Sequence, residues 1–330
     1  MRAVVCRQHG HYREMAVEER PTPVPGPGQV LVEIGASGVS FANILAVAGG
    51  HQNRAEPPFT PGTEVAGVVA ACGEGVGHVM PGQRVIAAVR NGGYASHALS
   101  QAITVAAIPD MLSFPQATFF PTNYATAYTA LVTEARIEPG EFLLVHGAGG
   151  ASGVAAVEMG RALGVQVIAV GSTPEKRELA MRAGAAHAVS PAGFREEVLE
   201  ITKGRGADVV FDPVGGDVFT QSIRCTAPQG RILVIGFASG EIPSAPANLL
   251  LVKNIAVMGV YFGYYTGWAR QQPTARALRA AARAFGEPIR FYEKGLLKPT
   301  VYGTFPLDEF AQAMQVVEDR KAVGKIVLEP

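Results

Sequence analysis

A glycine-rich turn between an apolar strand and a helix is the feature that most constrains this sequence. Residues 142–154 read FLLVHGAGGASGV, so a buried strand leads directly into closely spaced glycines and a helix of small residues. Glycines permit a tight turn with close backbone approach, and the free N–H groups at a helix start attract anions. The pattern predicts a dinucleotide pyrophosphate here, with an ordinary glycine-rich turn as the alternative. The predicted contacts are Gly147, Gly149, Gly150, Ala151, Ser152, Gly153, Val154 and Gly171.

The segments around this turn alternate between short apolar strands and helical stretches. Helices are predicted over 153–163 and 174–183. Alternation of this kind produces crossover connections and a parallel, doubly wound α/β sheet. Six strands complete a dinucleotide-binding (Rossmann) sheet. The six predicted strands are 142–146, 166–170, 187–189, 208–212, 231–235 and 255–260.

The first hundred residues have a different character. Short β-branched runs are separated by glycine and proline turns, and PTPVPGPG at 21–28 excludes a regular helix or a central strand. This pattern predicts a compact β-barrel-like domain. After residue 260 the predicted elements are helices at 274–285 and 307–319 and strands at 300–305 and 324–328.

The C-terminal tail is expected to rejoin the N-terminal domain, which makes that domain discontinuous. The predicted limits are 1–118 with 264–330 for the barrel-like domain and 119–263 for the dinucleotide-binding domain.

Composition argues against several classes of protein. The sequence has 28 basic and 28 acidic residues, whereas nucleic-acid and anionic-membrane proteins need a basic excess. Cys6, Cys72 and Cys225 are far apart, so neither a disulfide framework nor a structural zinc site is expected. No apolar run reaches the roughly 18 residues that a membrane span needs. A soluble cytoplasmic protein that binds neither membrane nor nucleic acid is therefore expected.

The second strand of the predicted sheet distinguishes NADP from NAD. An NAD site usually has an acidic residue at the end of this strand, but here the strand ends in Gly171 and Ser172. Lys176 and Arg177 follow, and Ser172 with Glu175 fits a capping box. A hydroxyl, a helix N-terminus and cations favour the 2′-phosphate of NADPH. The alternative is that both cations only solvate a helix.

Motifs along nearly the whole chain carry a family resemblance. They are FTPGTEVAGVV at 59–69, NGGYASHA at 91–98, FFPTNYATAYTAL at 119–131, DVVFDPVGGDVF at 208–219, GRILVIGFASGEIP at 230–243, NLLLVKNIAVMGVYFG at 248–263 and GKIVLEP at 324–330. In this order they resemble the zinc-independent, zeta-crystallin-like quinone oxidoreductases of the medium-chain dehydrogenase/reductase superfamily.

The resemblance implies a GroES-like catalytic domain, a Rossmann domain and a dimer formed through the last Rossmann strand. It also implies contacts with the nicotinamide end of the cofactor from Ser40, Thr126, Phe237, Ala238, Tyr261, Phe262 and Lys325.

A catalytic zinc ion is not expected. Zinc-dependent relatives place Cys or His ligands on three segments, where this sequence has Ser40, Thr63 and the pair Thr122 and Asn123. Glu64 remains, but one carboxylate does not hold zinc alone. Without a metal, hydride transfer is easiest to an acceptor that is already short of electrons, such as a quinone or an α,β-unsaturated carbonyl.

Three residues are candidates for contact with the acceptor. Tyr124 lies where the family usually has Tyr, and it suits a hydrogen-bond donor better than a base. The alternative is a packed tyrosine whose hydroxyl is already satisfied. Asn43 replaces a frequent Asp and so removes a charge. His51 replaces a frequent Tyr, and histidine as a residue type suits a contact with substrate near neutral pH, but a solvated loop histidine is the alternative.

Three functions fit the sequence. The first is an NADPH:quinone reductase, and the second is an NADPH-dependent enoyl or 2-haloacrylate-type reductase. The third is a non-catalytic NADPH-binding protein, resembling the relatives that are lens crystallins or bind RNA. The sequence leaves the first two open and disfavours the third through its balanced charge and complete cofactor turn.

Overall fold

The computed structural model of the protein describes residues 1–52 and 54–330. The chain divides into two compact units. The first contains Met1–Ala125, Phe262–Glu293 and Pro299–Pro330, and the second contains Thr126–Tyr261 and Lys294–Lys298. The domain limits predicted from the sequence, 1–118 with 264–330 and 119–263, remain a prediction.

The N-terminal part of the first unit is rich in strands. Its strands are β1 (Arg2–Val5), β2 (Ala16–Glu19), β3 (Gln29–Val39), β4 (Glu64–Cys72), β5 (Arg84–Ala88), β6 (His97–Gln101) and β7 (Val105–Ala107). Its helices are α1 (Phe41–Val47) and α2 (Phe114–Ala117), with short 3-10 turns at Tyr12–Glu14 and Ala102–Thr104. A helical stretch follows, in which π-helical turns at Phe120–Tyr124 and Thr129–Glu134 flank α3 (Ala125–Tyr128).

Strands and helices alternate through the second unit. Its strands are β8 (Phe142–Val145), β9 (Gln166–Val170), β10 (His187–Val189), β11 (Ala207–Asp212), β12 (Thr226–Val234) and β13 (Ala256–Gly259). Its helices are α4 (Ala151–Ala162), α5 (Pro174–Ala183), α6 (Phe194–Ile201), α7 (Gly216–Cys225) and α8 (Ala247–Lys253). The C-terminal part of the chain adds α9 (Phe262–Tyr265), α10 (Ala275–Glu293), β14 (Val301–Pro306), a 3-10 turn (Leu307–Glu309), α11 (Phe310–Glu318) and β15 (Lys325–Glu329).

The second unit contains a six-stranded sheet in the order β10-β9-β8-β11-β12-β13. All of its strand pairs are parallel, so the predicted doubly wound α/β sheet is confirmed. Leu143, Leu144 and Val145 of β8 are fully buried, as expected for a central strand of a parallel sheet covered on both faces. The chain order reverses beside β8, which is where such sheets bind ligands at the carboxyl ends of their strands.

The first unit contains a seven-stranded, mostly antiparallel sheet. Its path is β14-β15-β3-β4-β5-β7, with β6 also paired to β3. The two C-terminal strands are part of this sheet, because β15 pairs with β3 through Ile326 and Val39. Valines of β3, β4 and β5 form the core on one side. Within the described ranges, no helix is long and apolar enough to cross a bilayer.

Candidate functional site

The glycine turn that follows β8 is built by close backbone approach. A Cβ added at Gly153 would lie 2.2 Å from the carbonyl oxygen of Gly147, so no larger residue fits without moving the backbone. The amide of Ala148 donates to the carbonyl of Val170 at 3.0 Å, which fixes the turn to β9. Gly150 then caps α4, and the positive end of this 12-residue helix begins at the turn. Such a cradle accepts a pyrophosphate group.

Lys176 lies against this turn. A Cβ added at Gly149 would meet the Cβ and Cγ atoms of Lys176 at 2.4 Å, so the lysine stem crosses the bare glycine. Arg177 donates from Nη1 to the carbonyl of Gly171 at 2.8 Å, at the end of β9. Both basic residues belong to the first turn of α5, which closely follows the exposed Ser172 in the sequence.

The predicted capping box of Ser172 and Glu175 is wrong by one position. Thr173 is the N-cap of α5, and its hydroxyl accepts from the amide of Lys176 at 3.4 Å. Pro174 at the first helical position explains the shift, because its fixed φ suits that position and its missing N–H costs nothing there. The hydroxyl of Ser172 is thereby left outside the cap.

The loops after β11 and β12 complete the carboxyl edge of the sheet. Asp212 accepts from the amides of Val214 and Gly215 at 2.8 and 3.0 Å, and burial raises the pKa of its carboxyl. The amide of Ala238 donates to the carbonyl of Pro213 at 3.0 Å. These bonds hold Phe237 and Ala238, both half-buried, at this edge.

Polar groups of the first unit converge at the start of α1. The Oδ1 atom of Asn43 accepts from the Ser40 amide, the Ser40 hydroxyl and the Tyr94 hydroxyl at 3.1, 2.9 and 3.1 Å. Its Nδ2 atom lies 3.5 Å from the Thr63 hydroxyl. Asn43 is only 1% exposed, so these contacts give it a capping role, while its proposed role with the acceptor stays a prediction.

Lys325 lies in a buried cluster of the first unit. Its Nζ atom is 2.5 Å from Oε1 of Glu64 and 2.5 Å from Oδ1 of Asn123. Both charged side chains are only 1% exposed. Lys325 was predicted to contact the cofactor, but in this structure its ammonium is directed to Glu64 and Asn123.

The remaining candidates differ in accessibility. Tyr124 is 0% exposed and packs on Phe119 and Phe120, with ring centroids 5.6 and 4.8 Å away, which favours the packed alternative. His51 is half-buried in the chain that follows α1, and Thr126 of α3 is also half-buried. The other two predicted contacts are Tyr261, which is 39% exposed, and Phe262, which is 7% exposed.

The residues present do not fit a zinc ion. In the part of the chain that the structure describes, no group of three or more His, Cys, Asp or Glu side chains is placed to hold a metal. The side chain of Thr63 is a neutral hydroxyl near Asn43, and Glu64 is paired with the Lys325 ammonium. A positive charge therefore already lies beside the Glu64 carboxylate.

Sequence reasoning missed two features of these sites. Asp212 shapes the loop after β11, and the DPVGG stretch that follows a buried strand is a signal for such a turn. The Glu64–Lys325 pair joins residues 261 positions apart, and no local pattern could have predicted it.

Comparison with known proteins identifies the family. Residues 26–121 match the alcohol dehydrogenase GroES-like domain, and residues 151–282 match the domain called zinc-binding dehydrogenase. The chain is 38% identical to quinone oxidoreductase-like protein 2 of Bos taurus, over 99% of this chain and 92% of that protein. The chain belongs to the quinone oxidoreductase-like family of the medium-chain dehydrogenase/reductase superfamily.

Solved structures of this family agree with the assignment. The Escherichia coli quinone oxidoreductase complexed with NADPH has a TM-score of 0.90 and 28% identity, and the alignment covers 100% of both chains. The quinone oxidoreductase from Thermus thermophilus, also solved in complex with NADPH, has a TM-score of 0.84 and 33% identity over 100% of both chains.

Proposed function

We propose that this protein is an NADPH-dependent oxidoreductase that reduces a quinone-type acceptor without a metal. The observation that carries the proposal is the contact of Lys176 with Gly149. It runs the side-chain stem of a lysine from the first turn of α5 along the glycine turn. There a 2′-phosphate and a pyrophosphate of one cofactor would both be recognised.

Residues of the second unit would hold the cofactor by its charges. The turn from Gly147 to Gly153 and the start of α4 suit the pyrophosphate, while Ser172, Lys176 and Arg177 suit the 2′-phosphate. The quinone oxidoreductases of Escherichia coli and Thermus thermophilus were both solved in complex with NADPH, which supports NADPH over NADH as the cofactor of this protein. NADPH, when bound, supplies the hydride.

The acceptor must tolerate hydride addition without a Lewis acid. A quinone does so because gaining one hydride and one proton converts it to an aromatic hydroquinone. The proton would come from solvent or from a protein hydroxyl. The Ser40 hydroxyl already donates its proton to Oδ1 of Asn43, so we propose that the proton comes from solvent. The names of the curated relatives support the quinone.

We also propose a homodimer formed through β13. This strand is an edge of the six-stranded sheet. Neighbouring α8 has the apolar sequence ANLLLVK, yet none of its residues is buried. Leu251 and Val252 are each 77% exposed. An open strand edge beside an exposed apolar helix favours pairing with a second copy.

Steady-state oxidation of NADPH by the purified protein tests the proposed function. The acceptors are 1,4-benzoquinone, 9,10-phenanthrenequinone, 2-chloroacrylate and an alkenal, with NADH as the control cofactor. Turnover of quinones, with NADPH preferred, is expected. Turnover of only the double-bond substrates would assign the enoyl-reductase function instead. No turnover with any acceptor would favour the non-catalytic alternative.

A matched pair of variants tests the cofactor site. Lys176→Ala removes the cation beside Gly149, whereas Arg182→Ala removes an exposed cation from the last turn of the same helix. Only the first variant is expected to weaken NADPH binding. Equal affinity in both variants and the wild type would contradict the assignment of Lys176.

A further inference from the structure

The 19-residue helix α10 carries an unbalanced charge. The chain as a whole is balanced, with 28 basic and 28 acidic residues. Between Glu241 and Glu287, however, the sequence has no acidic residue, while it has Lys253 and four arginines. Three of these arginines belong to α10. The balanced total, on which the expectation of no membrane contact partly rests, therefore hides a region of concentrated positive charge.

The arginines of α10 form a stripe along its solvent-exposed side. Four exposed residues make up this arginine stripe, which are Arg276, Arg279, Arg283 and Arg290. Their spacings of three, four and seven residues place them on one face of an α-helix. At a rise of about 1.5 Å per residue, the arginine stripe is about 21 Å long. The other side of the helix is buried, where Ala281, Ala284 and Phe285 pack into the first unit.

The arginine stripe lowers the stability of the helix that bears it. Arg276 lies in the first turn, where the positive end of the helix dipole repels a cation. Arg279 is three residues from Arg276 and four from Arg283, and like charges at these spacings repel each other. Arg290 is paired, because its Nη1 atom is 2.7 Å from Oε1 of Glu287. Within the described ranges, no ion pair or side-chain hydrogen bond engages the other three arginines. An external anion would relieve this repulsion.

The exposed side of α10 suits recognition by charge alone. The other exposed residues between positions 275 and 290 are Ala275 and Ala282. None of the exposed large apolar side chains in the described chain belongs to α10. Interfaces with proteins are usually centred on buried aromatic or apolar anchors, and single-stranded nucleic acids bind by stacking on aromatic rings. The partner of the arginine stripe is therefore expected to be an anionic surface that needs no such anchors.

The amount of charge favours an anionic bilayer over duplex nucleic acid. Domains that bind nucleic acid are strongly basic, with a pI above about 9, and typically neutralise about 6–10 phosphates. The pI of this sequence is about 7.1, and only three arginines of the stripe lack a partner in the described chain. An anionic bilayer is a flat surface, and clusters of about four basic residues already bind it reversibly. A protein with zero net charge and one basic face would also adopt one orientation on such a surface.

We propose that the arginine stripe of α10 docks the protein on bilayers rich in anionic phospholipids. The guanidinium groups donate hydrogen bonds to the phosphate and carboxylate oxygens of the headgroups, and no side chain enters the hydrocarbon. Each arginine near such a surface strengthens binding by about fivefold, so three of them give on the order of 10²-fold. Binding of this size is reversible and sensitive to salt. The inference does not depend on which acceptor the protein reduces.

Co-sedimentation with vesicles tests the inference. The purified protein, with NADPH present, is mixed with vesicles of phosphatidylcholine alone or with roughly one third phosphatidylserine, at about 0.05 M salt. Binding only to the vesicles that contain phosphatidylserine is expected, and about 0.5 M salt should abolish it. Equal sedimentation with both kinds of vesicle would show adsorption that does not depend on charge. That result, or no sedimentation with either kind, would overturn the inference.

Two variants of the arginine stripe test the role of its charge. Arg276→Gln/Arg279→Gln/Arg283→Gln removes the three arginines without an acidic partner, and glutamine forms helices about as well as arginine. Its apparent affinity for the phosphatidylserine vesicles should fall by on the order of 10²-fold. Arg276→Lys/Arg279→Lys/Arg283→Lys keeps the charges and should keep the affinity, because a bilayer attracts either cation. A loss in the lysine variant as large as in the glutamine variant would indicate bidentate recognition of one specific anion and would contradict docking by charge.

A control variant separates the arginine stripe from the total charge. Arg20→Gln/Arg182→Gln/Arg224→Gln removes three exposed arginines that lie elsewhere in the chain. It should bind the vesicles as the wild type does, and both glutamine variants should keep the wild-type affinity for NADPH, measured by fluorescence. An equal loss of vesicle binding in both would assign the binding to net charge and overturn the inference. Duplex RNA that binds the wild type more tightly than the vesicles do, and that loses affinity only in the stripe variant, would assign the stripe to nucleic acid and overturn it too.

Discussion

Acid should destabilise the second unit through one buried histidine. His146 follows β8 and is 1% exposed. Its Nε2 atom lies 2.8 Å from the hydroxyl of Ser222, and its ring meets Phe194 edge-on at 4.8 Å. Burial lowers the pKa of His146 from 6.5 to about 3. The folded protein therefore holds this histidine neutral at any pH well above 3.

The free energy follows from the two pKa values. The unfolded chain binds a proton below its ordinary pKa of 6.5, and the folded chain does so only near 3, so stability is lost as pH falls between these values. At about pH 5 the unfolded state gains roughly 2 kcal/mol from protonation. The full loss, reached below the folded pKa, is about 5 kcal/mol.

Urea unfolding of the wild type and of His146→Gln at about pH 8 and about pH 5 measures this effect. Glutamine does not titrate, so between these two pH values the free energy of unfolding should fall by roughly 2 kcal/mol less in the variant than in the wild type. The control His187→Gln replaces a histidine that is exposed on β10 and should behave as the wild type. If the free energy of unfolding fell by the same amount in the wild type and in His146→Gln when the pH is lowered, the assignment of the acid sensitivity to His146 would be refuted.

Other predictions concern the cofactor turn and the strand edge. Gly153→Ala puts a Cβ about 2.2 Å from the Gly147 carbonyl oxygen, so we expect about 1–3 kcal/mol of destabilisation by urea unfolding and weaker NADPH binding by fluorescence. Lys176→Ala should raise the dissociation constant of NADPH by about tenfold and leave that of NADH unchanged, because one charge-assisted contact is worth roughly 1.5 kcal/mol. Ser172→Asp should shift the preference toward NADH, measured as the ratio of kcat/KM values, since an acid there repels the 2′-phosphate. Leu251→Glu should convert the proposed dimer to a monomer in analytical ultracentrifugation, and an unchanged dimer would contradict the proposed interface.

The sequence predicted the second unit well because local patterns determine its elements. Strands β9 and β10 and helix α5 have the predicted limits. Their apolar runs end at glycines or prolines, which stop an element at a definite residue. Strand β12 begins at Thr226, five residues before the predicted start, because Thr226 already pairs with Ala207 of β11, ahead of an irregularity in the register that precedes Arg231.

The buried cluster around Lys325 was harder to predict because its contacts are not local. The cofactor turn is one continuous stretch, so its composition reveals it. Asn123, Glu64 and Lys325 come from three distant segments, and only pairing of β15 with β3 brings Lys325 into the cluster. Tyr124 was a candidate from its family position, and the structure packs its ring on Phe119 and Phe120 of the same helical stretch.

The sheet of the first unit has a consequence for protein synthesis on the ribosome. Strand β3 pairs with β4 and β6, which follow it closely in the chain, but the partner of its last residues, Ser37 to Val39, is β15. Because β15 begins at Lys325, this part of β3 stays unpaired until almost the entire chain has been made. The six strands of the other sheet lie between Phe142 and Gly259 and emerge in one stretch. We therefore expect the second sheet to form first on the nascent chain, while β3 keeps an open edge that depends on chaperones until β15 arrives.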